Sequence, residues 1–524
     1  MSVATPPEAV EHPDAPADRA DRDALHASYT RLIVLIVAGV AAALVYGRVA
    51  GLVYPEDSDF ALEFGNHPWY HALSFAQILG KYFSLAHGWY RPTGFYLLPY
   101  LFRIDYFQPA EQVALDIAAL TLAAAMVTFF FARLRALPAL IGVLAVLLAP
   151  ALYEVAYGAQ ADSFYIIFGI AFLLVADRLV YREVGARLKW GLRAALVVLF
   201  LLTITTKEVG TGVAFVLVPF LLIRGPGLSW QRVRRVLVFA APFMAASLVF
   251  VLFYRTQVSA ETGTYSTHPS FDRLLNFVNL LSWTVGLRSP RHTFTQWIPA
   301  WSSGEKTLAL AILTVFVVGL LCTWRQFGLW RIAVYGATAL GIALAIASVG
   351  GIPYHGFPLV IMYGVALVAI LQALLSRLER SRYRWASWVA MAAMAGLILA
   401  QLVQGYRTFG DALYRGPHTA YLEASTELFD GTTLAPVTAA ADPLLIFQDC
   451  LGGLHNPLGY YARTNRGTAI SVSQFNAAEQ RPAMEAARKQ KRAVFVALCT
   501  GHPGPWYALF EWHGPAGGLV QVAP

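Results

Sequence analysis

The chain has 524 residues, of which 57% are hydrophobic and 13% charged, and it carries a net charge of +8. Soluble domains keep roughly 25% charged residues to hold their surface in water, so this composition excludes an ordinary soluble protein and sets most of the surface against lipid. The basic residues fall in short clusters between apolar runs, as membrane topology places them, and no segment carries a nucleic-acid-binding signature.

Residues 1–30 are rich in Pro, Ala, Asp and Glu and lack an apolar run. They read as a disordered cytoplasmic tail, and they lack the basic start and compact apolar core of a cleaved signal peptide. The first span follows near Arg31 to Val53. Ten more apolar runs lie near residues 111–131, 137–156, 163–181, 192–206, 209–223, 236–254, 307–323, 332–350, 357–375 and 386–404. The expected fold class is therefore an all-α polytopic membrane protein of about eleven helices. Residues 31–404 form its membrane domain.

Alternate connections are basic. They carry Arg133 and Arg135; Arg182, Arg187, Lys189 and Arg193; Arg224, Arg232, Arg234 and Arg235; Arg325 and Arg331; and Arg377, Arg380, Arg382 and Arg384. The positive-inside rule then puts the N-terminus in the cytoplasm and, with an odd number of spans, the C-terminal end outside. The setting implied is a bacterial-type inner (plasma) membrane. Two outer connections are long, 54–108 and 255–306, and loops of that length usually carry function. Trp283, Trp297 and Trp301 suit a second loop resting at headgroup level. Cys322, near the inner end of a span, reads as core.

Residues 405–524 read as a small extracytoplasmic α/β domain, with a helix-like run near 411–429 and β-like runs at Leu444–Phe447 and Ala493–Leu498. Cys450 and Cys499 each follow a β-like run, and an oxidising compartment would allow them to bridge; two buried thiols are the alternative.

Four places put charge near membrane depth, where it is costly and usually functional. The first is Glu56-Asp57-Ser58-Asp59-Phe60, followed by Glu63, Asn66 and His67. Clustered carboxylates suit general-base work or cation binding; the plain alternative is an exposed acidic loop. The second is His87-Gly88-Trp89-Tyr90-Arg91-Pro92-Thr93, an Arg that either grips a phosphate or anchors at the interface. The third is Glu154 with Gln160-Ala161-Asp162, and the fourth Thr206-Lys207-Glu208, between two short helices. All four fall on the outer side of this topology, as a site assembled from several loops requires.

In this order the motifs resemble the GT-C superfamily of membrane glycosyltransferases, and most closely the transmembrane TPR-containing, protein O-mannosyltransferase-like group. Ser58-Asp59-Phe60-Ala61 fits that group's Asp-Asp-x-Ala with Ser for one Asp. Tyr90-Arg91-Pro92-Thr93 matches its Tyr-Arg-Pro-Leu, and Pro150, Glu154 and Ala159-Gln160-Ala161-Asp162 match its Pro-x-x-x-Glu and Gly-Arg-Ala-Asp, with Gln for Arg. Thr206-Lys207-Glu208 matches its Ser-Lys-Glu. The likeness covers roughly the first 220 residues, and no TPR repeat follows.

The resemblance implies an inverting transferase that takes a sugar from a polyprenyl-phosphate-linked donor. The acceptor, a glycan, lipid or protein, would be glycosylated at the outer face of the lipid bilayer. Asp59 is then the expected general base, with Asp57 the next candidate because Ser58 makes the register ambiguous. Arg91 and Lys207 would hold the donor phosphate, and Glu154, Asp162, Glu208 and Tyr90 would orient the substrates or these cations. Inversion needs one base and a good leaving group. No metal is required, although Asp57 and Asp59 could bind a divalent cation. Arg288, Arg291 and His292 form a weaker phosphate candidate, and His355 reads as structural. The competing class is a lipid-linked sugar transporter or flippase, which would show internal repeats and charges at the midplane.

Overall fold

Every one of the eleven apolar runs overlaps a helix in the computed structural model, which describes residues 16–47, 76, 91–98, 109–149, 152, 162–225, 227–253, 271–286, 303–349, 353–381, 384–414, 435–440, 443–448, 471–474, 477–499 and 507–523. In chain order these are α1 (Pro16–Tyr46), α2 (Pro109–Ala125), α3 (Ala136–Leu147), α4 (Asp162–Tyr181), α5 (Ala186–Thr206), α6 (Gly212–Arg224) and α7 (Trp230–Phe253). A further helix, α8 (Phe271–Thr284), lies within the long 255–306 connection. It is followed by α9 (Ser303–Phe327), α10 (Leu329–Val349), α11 (Phe357–Glu379) and α12 (Arg384–Tyr414). Among the described residues, eight helices are long and apolar enough to cross a bilayer, and Ala114–Phe130 and Ala136–Leu147 are shorter apolar helices.

Residues 16–30 are helical, so the disordered tail expected over 1–30 does not extend across them; residues 1–15 lie outside the described residues. Pro16 opens α1, where its missing N–H costs nothing. Ala27 and Thr30 share the buried face that continues through Val34 and Ala38. At the other end, α12 runs on to Tyr414, past the boundary expected at residue 404. Trp283 is buried with Leu280 in the core, and Cys322 is exposed rather than core. A thiol is a small hydrophobe, so a lipid-facing position suits Cys322 as well as an interior one.

The core gathers around α3 and α11, both buried along most of their length. α3 packs against α1, α11 and α12. Two glycines allow its closest approach: a Cβ on Gly142 would lie 2.2 Å from Val368 Cγ2 and 2.9 Å from the Gly364 carbonyl, and one on Gly364 would meet Val146 Cγ2 at 2.5 Å. Because lipid tails are as apolar as the helices, such close van der Waals packing and interhelical hydrogen bonds hold the bundle together. Tyr46 Oη donates to the Leu147 carbonyl at 2.5 Å, tying α1 to the end of α3.

After α12 come a short helix, α13 (Ala435–Ala439), and five strands: β1 (Leu444–Gln448), β2 (Ser471–Gln474), β3 (Val494–Cys499), β4 (Tyr507–Trp512) and β5 (Leu519–Ala523). The sheet order is β2-β1-β3-β4-β5, parallel across the first three strands and antiparallel from β3 on. α14 (Ala477–Lys489) precedes β3, and its Met484 and Ala487 cover Leu444, Ile446, Val494 and Val496. Those strand residues alternate, as one face of a pleated strand requires. The two β-like runs of the sequence are β1 and β3; β2, β4 and β5 are additional. Cys450 and most of the helix-like run 411–429 lie outside the described residues, so the Cys450–Cys499 pairing does too.

Candidate functional site

The break between α5 and α6 builds the site. α5 ends on Thr203-Ile204-Thr205-Thr206, and the three hydroxyls donate to the carbonyls of Leu199, Leu201 and Leu202 at 2.6–2.7 Å. The chain then turns extended at Lys207 (φ −153°, ψ 140°) and resumes as a single 3₁₀ turn, Glu208–Thr211. Gly210 permits this reversal, because a Cβ there would lie 2.3 Å from the Thr203 carbonyl oxygen. Lys207 and Glu208 thus leave the helix in different directions, each toward a partner on another segment.

Lys207 Nζ lies 2.8 and 2.6 Å from the two carboxylate oxygens of Asp162, the first residue of α4. Both side chains are buried. Glu208 receives a two-pronged contact from Arg91, Nε and Nη2 each donating at 2.7 Å to a separate oxygen. A planar guanidinium matched to a carboxylate in this way fixes orientation as well as charge. Thr93 and Thr205 share a buried hydroxyl–hydroxyl hydrogen bond of 2.7 Å, holding the Arg91 segment to the end of α5. Burial raises the Glu208 carboxyl, but Arg91 and Lys207 outweigh it and hold the group down at about 2. Glu208 is therefore charged throughout the physiological range.

Three further residues border this cluster. His355, in the turn Pro353–Gly356, is buried and feels the charges of Lys207, Glu208 and Arg91. Burial, then Lys207, and then Arg91 press its imidazole down to about 3 against the opposing pull of Glu208, so it is neutral at pH 7. α8 packs over this turn, with Leu280 Cδ2 3.4 Å from where a Cβ on Gly356 would stand. Asp116 of α2 is buried close enough to Asp162 for their charges to repel, and its Oδ2 has no hydrogen-bond partner among the described residues. The buried Tyr165 hydroxyl, also without a partner there, lies nearly one turn below Asp162 on α4.

Beneath the cluster opens a cavity of about 1360 Å³ between α4, α6, α10 and α11. Glu208, His355 and Tyr165 line one end, Ile166, Ile170, Val213 and Val365 the middle, and Arg224 and Arg331 the other end. It is larger than the roughly 300–1,000 Å³ typical of small-molecule pockets, and its walls are almost wholly apolar.

Of the residues expected from sequence, Arg91, Asp162, Lys207 and Glu208 meet in one cluster. Asp57, Asp59, Tyr90, Glu154, Arg288, Arg291 and His292 lie outside the described residues. His355, read as structural from sequence, borders the cluster, and Asp116 and Tyr165 were not singled out at all. Asp116 had a signal, a carboxylate inside an apolar run; Tyr165 had none. Among the described residues no group of three or more His, Cys, Asp or Glu side chains could hold a metal ion.

Known structures share this architecture. ArnT from Cupriavidus metallidurans in the apo state is 17% identical with a TM-score of 0.50, over 88% of this chain and 92% of that one. The Archaeoglobus fulgidus oligosaccharyltransferase, tethered to an acceptor peptide containing the NVT sequon, is 11% identical with a TM-score of 0.51, over 95% of this chain and 74% of its own. The chain has the GT-C fold. The GT-C resemblance carried by the four motifs is thus borne out as a fold, including for the C-terminal half, where no motif could be matched. ArnT bound to undecaprenyl phosphate also aligns, at 15% identity and a TM-score of 0.48 over 90% of this chain and 92% of that one. No protein-family model and no curated protein matches the sequence.

Proposed function

We propose that this chain is an inverting glycosyltransferase, moving a sugar from a polyprenyl-phosphate-linked donor to a glycan, lipid or protein acceptor at the outer face of the membrane. The observation that carries the reading is the placing of two ion pairs, the buried Lys207–Asp162 and the partly buried Arg91–Glu208, at one end of a long apolar cavity. A lipid-anchored phosphate calls for such a pairing of features: cations held in fixed geometry where the leaving group forms, and an apolar channel for the chain behind it. Preorganised charge of this kind needs no reorganisation as the glycosidic bond breaks.

In this reading Arg91 and Lys207 face the donor phosphate, with Glu208 and Asp162 holding their side chains in position. Asp59 is the general base for the acceptor hydroxyl, Asp57 the next candidate, and Tyr90 and Glu154 orient the substrates. The oligosaccharyltransferase with a tethered acceptor peptide supports glycosyl transfer as the activity class. The basic connections support an inner-membrane protein with a cytoplasmic N-terminus and an extracytoplasmic C-terminal domain.

Transfer to a native acceptor and donor binding, measured separately on one membrane preparation, test this. Asp59→Asn should slow transfer by roughly 10²–10⁴-fold, the scale of lost general-base assistance, with donor binding little changed. A dead Asp57→Asn beside an active Asp59→Asn would move the base two residues upstream. Full activity in both single variants and the double variant would overturn the assignment.

A further inference from the structure

The cavity has a second charged end, opposite the ion-pair cluster, and the two arginines there differ in one respect. Arg224 is compensated: its guanidinium lies 3.1 and 3.2 Å from the Asp177 carboxylate oxygens and donates to the Phe130 carbonyl at 2.7 Å. Arg331 is not. Its Nη2 donates to the Gly225 carbonyl at 2.9 Å and its guanidinium lies 5.2 Å from the centre of the Trp330 ring. Among the described residues no carboxylate pairs with it, and its Nε is fully buried without a hydrogen-bond partner.

A snorkelling arginine stretches its head into water and satisfies all its donors there. Arg331 does not fit that description, because its Nε–H is closed off from solvent and has no acceptor among the described residues. A partly buried, uncompensated guanidinium with an orphaned donor is costly. The cost falls if an anion completes the site, and a guanidinium fork matches phosphate oxygens well.

The walls determine what kind of anion fits. From Arg331 the cavity runs along α10 past Gly336 and Ile342 to Ile346, and the facing wall is α6. The 13 residues of α6 give it a length of about 20 Å at 1.5 Å per residue, on the scale of an acyl chain. We propose that Arg331, flanked by Arg224, binds the phosphate headgroup of an anionic glycerophospholipid whose chains fill this end of the cavity. It enters from the leaflet opposite the ion-pair cluster. The inference rests on Arg331 and the part of the cavity nearest it, while a donor chain would occupy the part beneath the ion pairs, so the two readings can fail separately.

Native mass spectrometry of the full-length protein, delipidated and then offered dioleoyl phosphatidylglycerol or dioleoyl phosphatidylcholine, tests it. The wild type should retain one phosphatidylglycerol in at least tenfold preference over phosphatidylcholine, and Arg331→Gln should abolish the preference. Gly336→Phe supplies a second test away from the guanidinium. A Cβ at Gly336 meets nothing within 4 Å, so the ring enters open space and should displace the chains, reducing phosphatidylglycerol retention about tenfold while the fold persists by size exclusion. Millimolar inorganic phosphate should not compete. Equal retention of the two lipids, unchanged phosphatidylglycerol retention in either variant, or displacement by inorganic phosphate would overturn the proposal.

Discussion

Lys207 and Asp162 form a closed pair in the protein interior, 3% and 0% exposed, with both carboxylate oxygens on one ammonium. Two charges taken out of water are tolerated only while they neutralise each other. Lys207→Met should therefore cost about 3–5 kcal/mol by leaving Asp162 buried without its counter-charge. Adding Asp162→Leu should recover at least half of that loss. Thermal unfolding in detergent reads the cycle, and additive losses would show that the pair is not coupled.

Arg91 and Glu208 meet in a geometry that only a guanidinium supplies. Arg91→Lys keeps the charge and loses the second prong, so donor affinity should fall about 10-fold, with a larger fall for Arg91→Ala. Donor binding by isothermal calorimetry discriminates the two variants. Equal affinities for Lys and Ala at this position would mean that geometry is unimportant there.

His355 gives the fold a pH dependence whose sign follows from its lowered value. The unfolded chain takes up a proton near pH 6.5, whereas the folded imidazole resists until about pH 3. Stability is thus fully present above 6.5 and is lost as pH falls toward 3, at up to about 1.4 kcal/mol per pH unit. Glu208, held at about 2, adds its own loss only below the unfolded glutamate value near 4.3. Between pH 6.5 and 5 the His355→Gln protein should show a flatter melting-temperature profile than the wild type. Parallel profiles would remove His355 from the account.

Gly210 and Gly336 make a matched contrast. Gly210→Ala forces a Cβ against the Thr203 carbonyl and must shift the Lys207–Glu208 segment, so both stability and donor binding should suffer. Gly336→Ala meets open space and removes backbone freedom in a helix, so it should be neutral or stabilise by about 0.5–1 kcal/mol. Urea titrations of the two variants would decide.

The proposed orientation predicts that Trp190→Cys and Gly410→Cys, each placed in a background without Cys322, Cys450 and Cys499, react with impermeant maleimide from opposite sides of the membrane. Labelling from one side would undo the topology and the outer-face reading with it.

The helices were legible because most apolar runs are long and because lipid tolerates little except helix across a membrane. The convergence of Arg91, Asp162, Lys207 and Glu208 was legible for a related reason: basic connections sort the loops by face, and four unusual charges fell on one. Which cation meets which carboxylate was not legible, since Lys207 passes over its sequence neighbour Glu208 to reach Asp162. His355 lay in a short turn with nothing beside it in sequence to mark it. Strand β2 is short and polar, Ser471-Val472-Ser473-Gln474, so its pairing with β1 comes from the sheet rather than from its own pattern, whereas β4 and β5 carry apolar and aromatic residues that suit a strand and were simply passed over.

Two helices of the bundle are short. α3 has 12 residues and α6 has 13, about 18–20 Å of rise against roughly 30 Å of hydrocarbon. α3 is buried in the core, whereas α6 exposes Phe215, so it is beside α6 that a bilayer would thin, at a cost of fractions of a kcal/mol per ångström. The surrounding leaflet would then dip at the Lys207 break, bringing water and headgroups down to the ion pairs. A substrate carried on a lipid could reach Arg91 and Lys207 by sliding sideways, without lifting its phosphate clear of the membrane or dragging it into oil.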